Sequence, residues 1–381
     1  MKIAVLREIR QGETRVAATP ETVKKLVNMG CSVSVETNAG KLSNFSDELY
    51  AQSGADITST VSDTLKDAKV ILKVACPVCS SDIDEVDLFA EEVILIANLQ
   101  AYSNPKVISK LAEKRISAFA MELMPRITRA QSMDILSSQS NLSGYKAIVE
   151  ASSVFNGAMP MMMTAAGTIA PARVLVFGAG VAGLQAIATA KRLGAVVLAT
   201  DVRYAAKEQV ESLGGKFIVV DEEAMKAAET DGGYAREMSE DFKNKQAEAV
   251  RKEVIKSDII VTTALIPGKD APTLVTKELV ERMKTGSVIV DLAVEAGGNV
   301  EGSVKDKVIT TENGVIIIGH SNMPALLSRD ASSLFGRNIL NFIDLIIDKD
   351  TQSLKINWED EIIKGTLVTR NNAITNTNLK K

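Results

Sequence analysis

One histidine, one tryptophan and three cysteines in 381 residues exclude several kinds of chemistry at the outset. His320 alone cannot build a histidine-based metal cluster, and no metal site is expected. Cys31, Cys76 and Cys79 make no disulfide framework and fit a reducing compartment. Cys76-Pro77-Val78-Cys79 is a CxxC, but no second pair accompanies it, so it reads as two thiols in a turn after a strand. No apolar run approaches the length of a membrane span, and the chain starts directly on a strand-like KIAVL. A soluble, cytoplasmic protein is expected, without direct membrane insertion. Any membrane role would come through a partner. The net charge of −4 gives no general attraction to nucleic acid or anionic lipid.

Hydrophobic residues at 46% and charged residues at 24% describe a globular protein, and its length is too great for one core. The most informative stretch is Arg173 to Asp201. Val174 to Phe177 reads as a buried parallel strand, Gly178-Ala179-Gly180-Val181-Ala182-Gly183 as a turn, and Leu184, Ile187, Ala188 and Leu193 as a helix face. A second apolar run ends at Asp201. In such a unit Gly178 allows the tight turn, Gly180 lets a pyrophosphate approach the backbone, and Gly183 lets helix and sheet pack closely. The helix N-terminus then faces the phosphates. Asp201 stands where an acid bonds a ribose 2′-OH and repels a 2′-phosphate, which favours NAD over NADP.

The rest of the chain alternates strand and helix. Strands are expected at 3–6, 32–36, 70–74, 93–97 and 116–121, with Thr19-Pro20 opening a helix. This half has no glycine fingerprint. Residues 123–157 differ: a long helix is expected from about Asn141 to Phe155, after a segment dense in polar groups that a solvated loop could also carry. Met159-Pro160-Met161-Met162-Met163 reads as flexible core packing. From Arg173 the pattern repeats, with strands at 217–220, 259–263, 288–292 and 315–318. It lapses between Asp221 and Glu240 into a long connection of the kind that serves as a mobile lid. A second long helix is expected from Met323 to about Ile347, and the polar end TLVTRNNAITNTNLKK as loosely ordered. The fold class is therefore α/β: two Rossmann-like, doubly wound parallel-sheet domains joined by long helices, with the cofactor in the cleft between them. The domains expected are 1–138 plus 328–381, without its own nucleotide, and 139–327, which binds it.

The fingerprint, Arg15 in GETRVAATP, the run MELMPRITRAQSMDILSSQSNLSGYKA and the loop DGGYAREMSEDF together resemble the NAD(H)-binding component of proton-translocating NAD(P) transhydrogenases, over nearly the whole chain. The resemblance implies direct hydride transfer between NAD(H) bound here and NADP(H) held on a partner beta subunit. In the full complex that transfer is coupled to proton movement through a membrane-spanning subunit. It also implies a homodimer, peripheral on the cytoplasmic side of the inner membrane. By resemblance, Arg126, Gln131, Asp134 and Ser137 position the nicotinamide, Arg126 and Asp134 as an ion pair. Ile127, Thr128, Arg129, Ser132 and Met133 complete that cofactor-contacting stretch. Val181 lies against the pyrophosphate, and Asp201, Val202 and Arg203 line the adenosine ribose. Leu265 ends a strand at the cofactor, Gly233 and Tyr234 close the mobile loop, and Gln246 stands nearby.

The same fold is shared with alanine dehydrogenase, the alternative reading. That chemistry deprotonates an amine and handles an imine, so it needs acid–base groups beside the nicotinamide. A lysine and a histidine supply them in that family, and the equivalent places here look like Ala75 and Gln100. The acid of the DLAVEAGG motif is Glu295. Hydride transfer between two nicotinamides protonates no substrate atom and requires none of these groups.

Overall fold

The structure is a computed structural model that describes residues 1–227, 240–266, 268–348 and 351–379. The chain divides into two compact units, Met1–Gln139 with Pro324–Lys381, and Ser140–Met323. Each is built on a doubly wound sheet.

Among the described residues the first unit holds an eight-stranded sheet. Its order is Ala373–Ile374, Leu367–Arg370, Ser117–Ala120, Ile94–Asn98, Val70–Ala75, Lys2–Val5, Ser32–Glu36 and Asp56–Thr58. The six strands from Ser117–Ala120 to Asp56–Thr58 are parallel. Their order is the Rossmann order, with the switch between Lys2–Val5 and Val70–Ala75. Near-continuous apolar runs form these central strands because helices cover both faces. The first helix, Pro20–Asn28, begins on a capping box, with Thr19 and Thr22 exchanging side-chain and backbone bonds.

The C-terminal end corrects the sequence reading. Leu367–Arg370 adds antiparallel to Ser117–Ala120 and then pairs with Ala373–Ile374. Val368 and Thr369 are fully buried. Asn371 and Asn372, at φ +48° and +62°, make the two-residue turn that a tight hairpin requires. A polar composition concealed a short strand whose few apolar residues all point inward.

In the second unit the order is Lys216–Phe217, Val196–Thr200, Arg173–Phe177, Ile259–Thr262, Val288–Asp291, Ile316–Ile318 and Val308–Thr310. All neighbours are parallel except the last pair. The strand order reverses between Arg173–Phe177 and Ile259–Thr262, so the glycine turn and Thr263–Leu265 leave the sheet side by side at the switch point.

Three further expectations change. The long helix spans Ile135–Val154 and so begins within the polar segment, six residues before Asn141. The second long helix is Ser328–Ile343, preceded by a 3-10 turn at Met323–Leu327. Met159 is buried, but Met161, Met162 and Met163 are exposed. Met162 and Met163 belong to a hairpin, Met162–Thr164 with Gly167–Ile169, whose strands pair, among the described residues, only with each other. Val368→Ala should cost about 2 kcal/mol by loss of buried methyl groups, read as a lower denaturant midpoint with an unchanged slope.

Candidate functional site

The turn after Arg173–Phe177 is shaped by three glycines doing different work. Gly178 has φ +91°, and a Cβ there would lie 2.5 Å from Thr263 Oγ1. A Cβ on Gly183 would lie 1.8 Å from the carbonyl oxygen of Gly178, so the helix sits directly on the turn. Gly180 differs: a Cβ would meet nothing within 4 Å. Its open side is a cradle with room for a ligand group. The helix Val181–Arg192 makes its first intrahelical bond from Leu184 N–H to Gly180 C=O (2.8 Å), leaving the amides of Val181, Ala182 and Gly183 for an anion. Val181 is exposed.

Asp201 ends the next strand and closes the turn. Its Oδ2 accepts the Ala179 N–H at 2.7 Å. Arg203 donates to Oδ1 through its backbone N–H and Nε and to Oδ2 through Nη2, each at 2.9 Å. Burial pushes the Asp201 carboxyl up, but the bonds from Arg203 and Ala179 outweigh it and hold the carboxyl below the usual aspartate range. From the sequence, Asp201 is expected to bond a ribose 2′-OH and to repel a 2′-phosphate. In the structure Arg203 neutralises much of that charge. Val202 is exposed beside it, as is Leu265 at the exit of the neighbouring strand. Gln246 is turned to the backbone: Val220 N–H donates to its Oε1 (3.2 Å) and its Nε2 donates to Ile218 O (2.9 Å).

Residues 126–137 lie in the first unit and divide by role. Ile127 and Met133 pack on the core. Arg129 is held by both carboxylate oxygens of Asp360, at 2.8 and 3.0 Å. The Ser132 carbonyl accepts from Asn338 and Asn341. Arg126, Thr128 and Gln131 are exposed, and their side chains have no partner among the described residues. The expected Arg126–Asp134 ion pair is not made. Asp134 instead caps the helix: its carboxylate accepts the Ser137 N–H at 3.0 Å and the Ser137 hydroxyl at 2.5 Å. An anchored loop thus presents three polar side chains outward. Gly233 and Tyr234 lie outside the described residues, as does most of the expected loop; its start is a helix, Glu222–Ala227.

Sequence reading missed two supports. Gly144 lies in the Ile135–Val154 helix where a Cβ would be 2.0 Å from Ala182 O, so this helix touches the phosphate-turn helix backbone to backbone. Asp291 and Asn299, both fully buried, bond the exit of the Ile259–Thr262 strand. The Gly297-Gly298 pair was the available signal in the sequence, and both glycines take a positive φ, +95° and +86°. In the CxxC, burial pushes the Cys76 thiol up to about 12, and burial with the bond to Asp84 pushes Cys79 to about 11, which disfavours the thiolate at both.

Residues 4–143 match the N-terminal domain, and residues 147–377 the C-terminal domain, of the alanine dehydrogenase/PNT family. The chain belongs to this family. Within the family it is 58% identical over 375 residues to an NAD(P) transhydrogenase subunit alpha polypeptide of Rhodospirillum rubrum, covering 98% of this chain and 97% of that one. A transhydrogenase structure from Sinorhizobium meliloti superposes with a TM-score of 0.88 at 46% identity, covering 98% of this chain and all of the other. An L-alanine dehydrogenase structure superposes at 0.80 with 25% identity, covering 100% and 98%. In this member of the family, Gly180→Ala should fold with wild-type stability, whereas Gly183→Ala should lower the melting temperature sharply or prevent folding. Asp134→Ala should cost about 1 kcal/mol as a lost helix cap, measured by chemical denaturation.

Proposed function

We propose that the chain is the NAD(H)-binding component of a Re/Si-specific, proton-translocating transhydrogenase. It exchanges hydride directly between its own NAD(H) and NADP(H) held on a partner beta subunit. Gly180 offers the open cradle for the pyrophosphate, and the amides of Val181 to Gly183 offer it hydrogen bonds. Asp201 receives the adenosine ribose, with Val202 and Arg203 beside it. Arg126, Gln131, Asp134 and Ser137 orient the nicotinamide carboxamide, and Tyr234 and Gly233 cover the cofactor. When bound, NADH supplies a hydride from its nicotinamide ring.

The alanine dehydrogenase reading shares the fold and the turn, and the state of the first unit's buried cations supports the transhydrogenase reading over it. Lys73 is fully buried between Glu8 (3.2 Å) and Glu85 (2.8 Å). Burial opposes its charge, but the two carboxylates outweigh burial and hold the ammonium protonated, unable to take a proton at neutral pH. Arg15 is gripped through Nη2 and Nε by Glu13 (2.6 and 2.8 Å) and through Nη1 by Gln139 (2.8 Å). Neither cation is free for a substrate carboxylate or an imine. Ala75 and Gln100 add no acid–base group. Hydride transfer between two rings needs none; its rate depends on holding them at near-attack distance with water excluded. The residues of 126–137 serve orientation, not proton transfer.

The whole assembly in this reading is a homodimer of this chain with the beta subunit and a membrane-spanning subunit, on the cytoplasmic side of the inner membrane. Among the described residues no helix is long and apolar enough to cross a membrane, which is consistent with proton translocation residing in a partner.

Mixed with an isolated NADP(H)-binding component, the chain should catalyse hydride transfer from NADPH to an NAD analogue, and alone it should not oxidise alanine with NAD. Alanine turnover without a partner would overturn the assignment. Gly180→Ala, although folded, should lose NADH affinity at least tenfold by equilibrium titration. Asp201→Ala should release Arg203 for a 2′-phosphate and move the NADPH-to-NADH affinity ratio at least tenfold toward NADPH; an unchanged ratio refutes the role.

A further inference from the structure

Asn299 makes no use of exposed surface, yet every polar atom of its side chain is engaged. Its Oδ1 accepts the Ala264 N–H at 3.0 Å, and its Nδ2 donates to Ala264 O at 2.9 Å and to Pro272 O at 2.8 Å. Its own backbone N–H is held by both carboxylate oxygens of Asp291, at 3.2 and 3.0 Å. Asp291 Oδ1 in turn accepts the Thr262 hydroxyl at 3.1 Å. Both residues are fully buried. On the opposite side Thr263 binds the glycine turn: its N–H and its hydroxyl both donate to Phe177 O, at 3.0 Å. The strand exit Thr262–Leu265 is therefore clamped between the phosphate turn and Asn299. It stands at the switch point, with Leu265 exposed at its tip.

In a doubly wound dinucleotide fold the two mononucleotide halves lie on opposite sides of that switch. Asp201 marks the adenosine half, on the side of Val196–Thr200. The exit held by Asn299 belongs to the other half. We propose that Asn299 is a positioning residue for the nicotinamide half of the cofactor, acting through Ala264 and Leu265, with Asp291 holding it in turn. This rests on the NAD(H) reading above and extends it to a residue outside the glycine turn and the 126–137 segment. An asparagine is required because the position faces one N–H and two carbonyl oxygens at once. Only a carboxamide offers an acceptor and a two-proton donor in that shape.

Asn299→Asp keeps the shape and replaces the donor with an oxygen facing two carbonyl oxygens. The full chain and this variant should be titrated at neutral pH with NADH and, separately, with AMP, which reports the adenosine half alone. The expected result is NADH affinity weakened at least tenfold and AMP affinity within twofold of wild type. A general structural defect would weaken both ligands together, and that result, or no change in either, overturns the proposal. Should Asn299→Asp fail to fold, Thr262→Val must show the same split in milder form, NADH weaker by two- to fivefold with AMP unchanged; equal effects on both ligands would sink the idea. Wild-type chain that binds neither ligand would instead refute the NAD(H) reading itself.

Discussion

The carboxylate at the end of the second strand governs both units. In the second unit Asp201 takes the backbone N–H of Ala179, one residue beyond the position that faces it in the strand register. In the first unit Glu36, at the same place in the strand order, takes the backbone N–H of Arg7 at 2.9 Å, again one residue beyond the register partner. Each bond satisfies an amide that leaves a parallel strand where the sheet can no longer pair it. Each also fixes the direction in which the adjoining loop departs. Beyond that bond the two units diverge. A glycine turn after Phe177 leads straight into a helix, whereas Leu6 leads into a long charged loop before Pro20.

That loop gives the first unit its character. Glu8, Glu13 and Arg15 turn inward into two buried groups of ion pairs and hydrogen bonds, Glu8 with Lys73 and Glu85, and Glu13 with Arg15 and Gln139. Removing one partner from such a pair leaves a buried charge uncompensated, at a cost of roughly 3–5 kcal/mol, so the network resists opening to admit a ligand. Burial is the largest influence on Glu8 and raises its carboxyl, and Lys73 pulls the other way.

Rigidity in the second unit comes from backbone approach. Gly183 rests on Gly178, Gly144 rests on Ala182, and Asn299 grips Ala264. Such contacts hold the backbone closely, as the proposed hydride transfer, which depends on distance and orientation, would require. The 126–137 segment achieves the same by other means. Asp134, Arg129 and the Ser132 carbonyl are tied down, and Arg126, Thr128 and Gln131 are left to project.

The alternation of strands and helices, the glycine turn and its closing acid were legible in the sequence because they arise from local periodicity and from backbone conformations only glycine adopts readily. The resemblance to a family was legible for the same reason: its motifs are contiguous. Other features needed partners distant in the chain. The strand at Leu367–Arg370 buries Leu367 and Val368 where it meets Ser117–Ala120, and the exposure of the hairpin beyond Pro160 among the described residues is likewise a matter of long-range packing. Asp134 could be read as half of an ion pair until the helix was seen to begin at Ile135 and claim its carboxylate. Asp201 could be read as a bare negative charge until Arg203 was seen folded back upon it. Residue types set which groups could charge, bond or turn. Which of several possible partners each one took was decided by the tertiary structure, because burial makes an unpaired polar group costly and only the folded chain determines who is near enough to pair it.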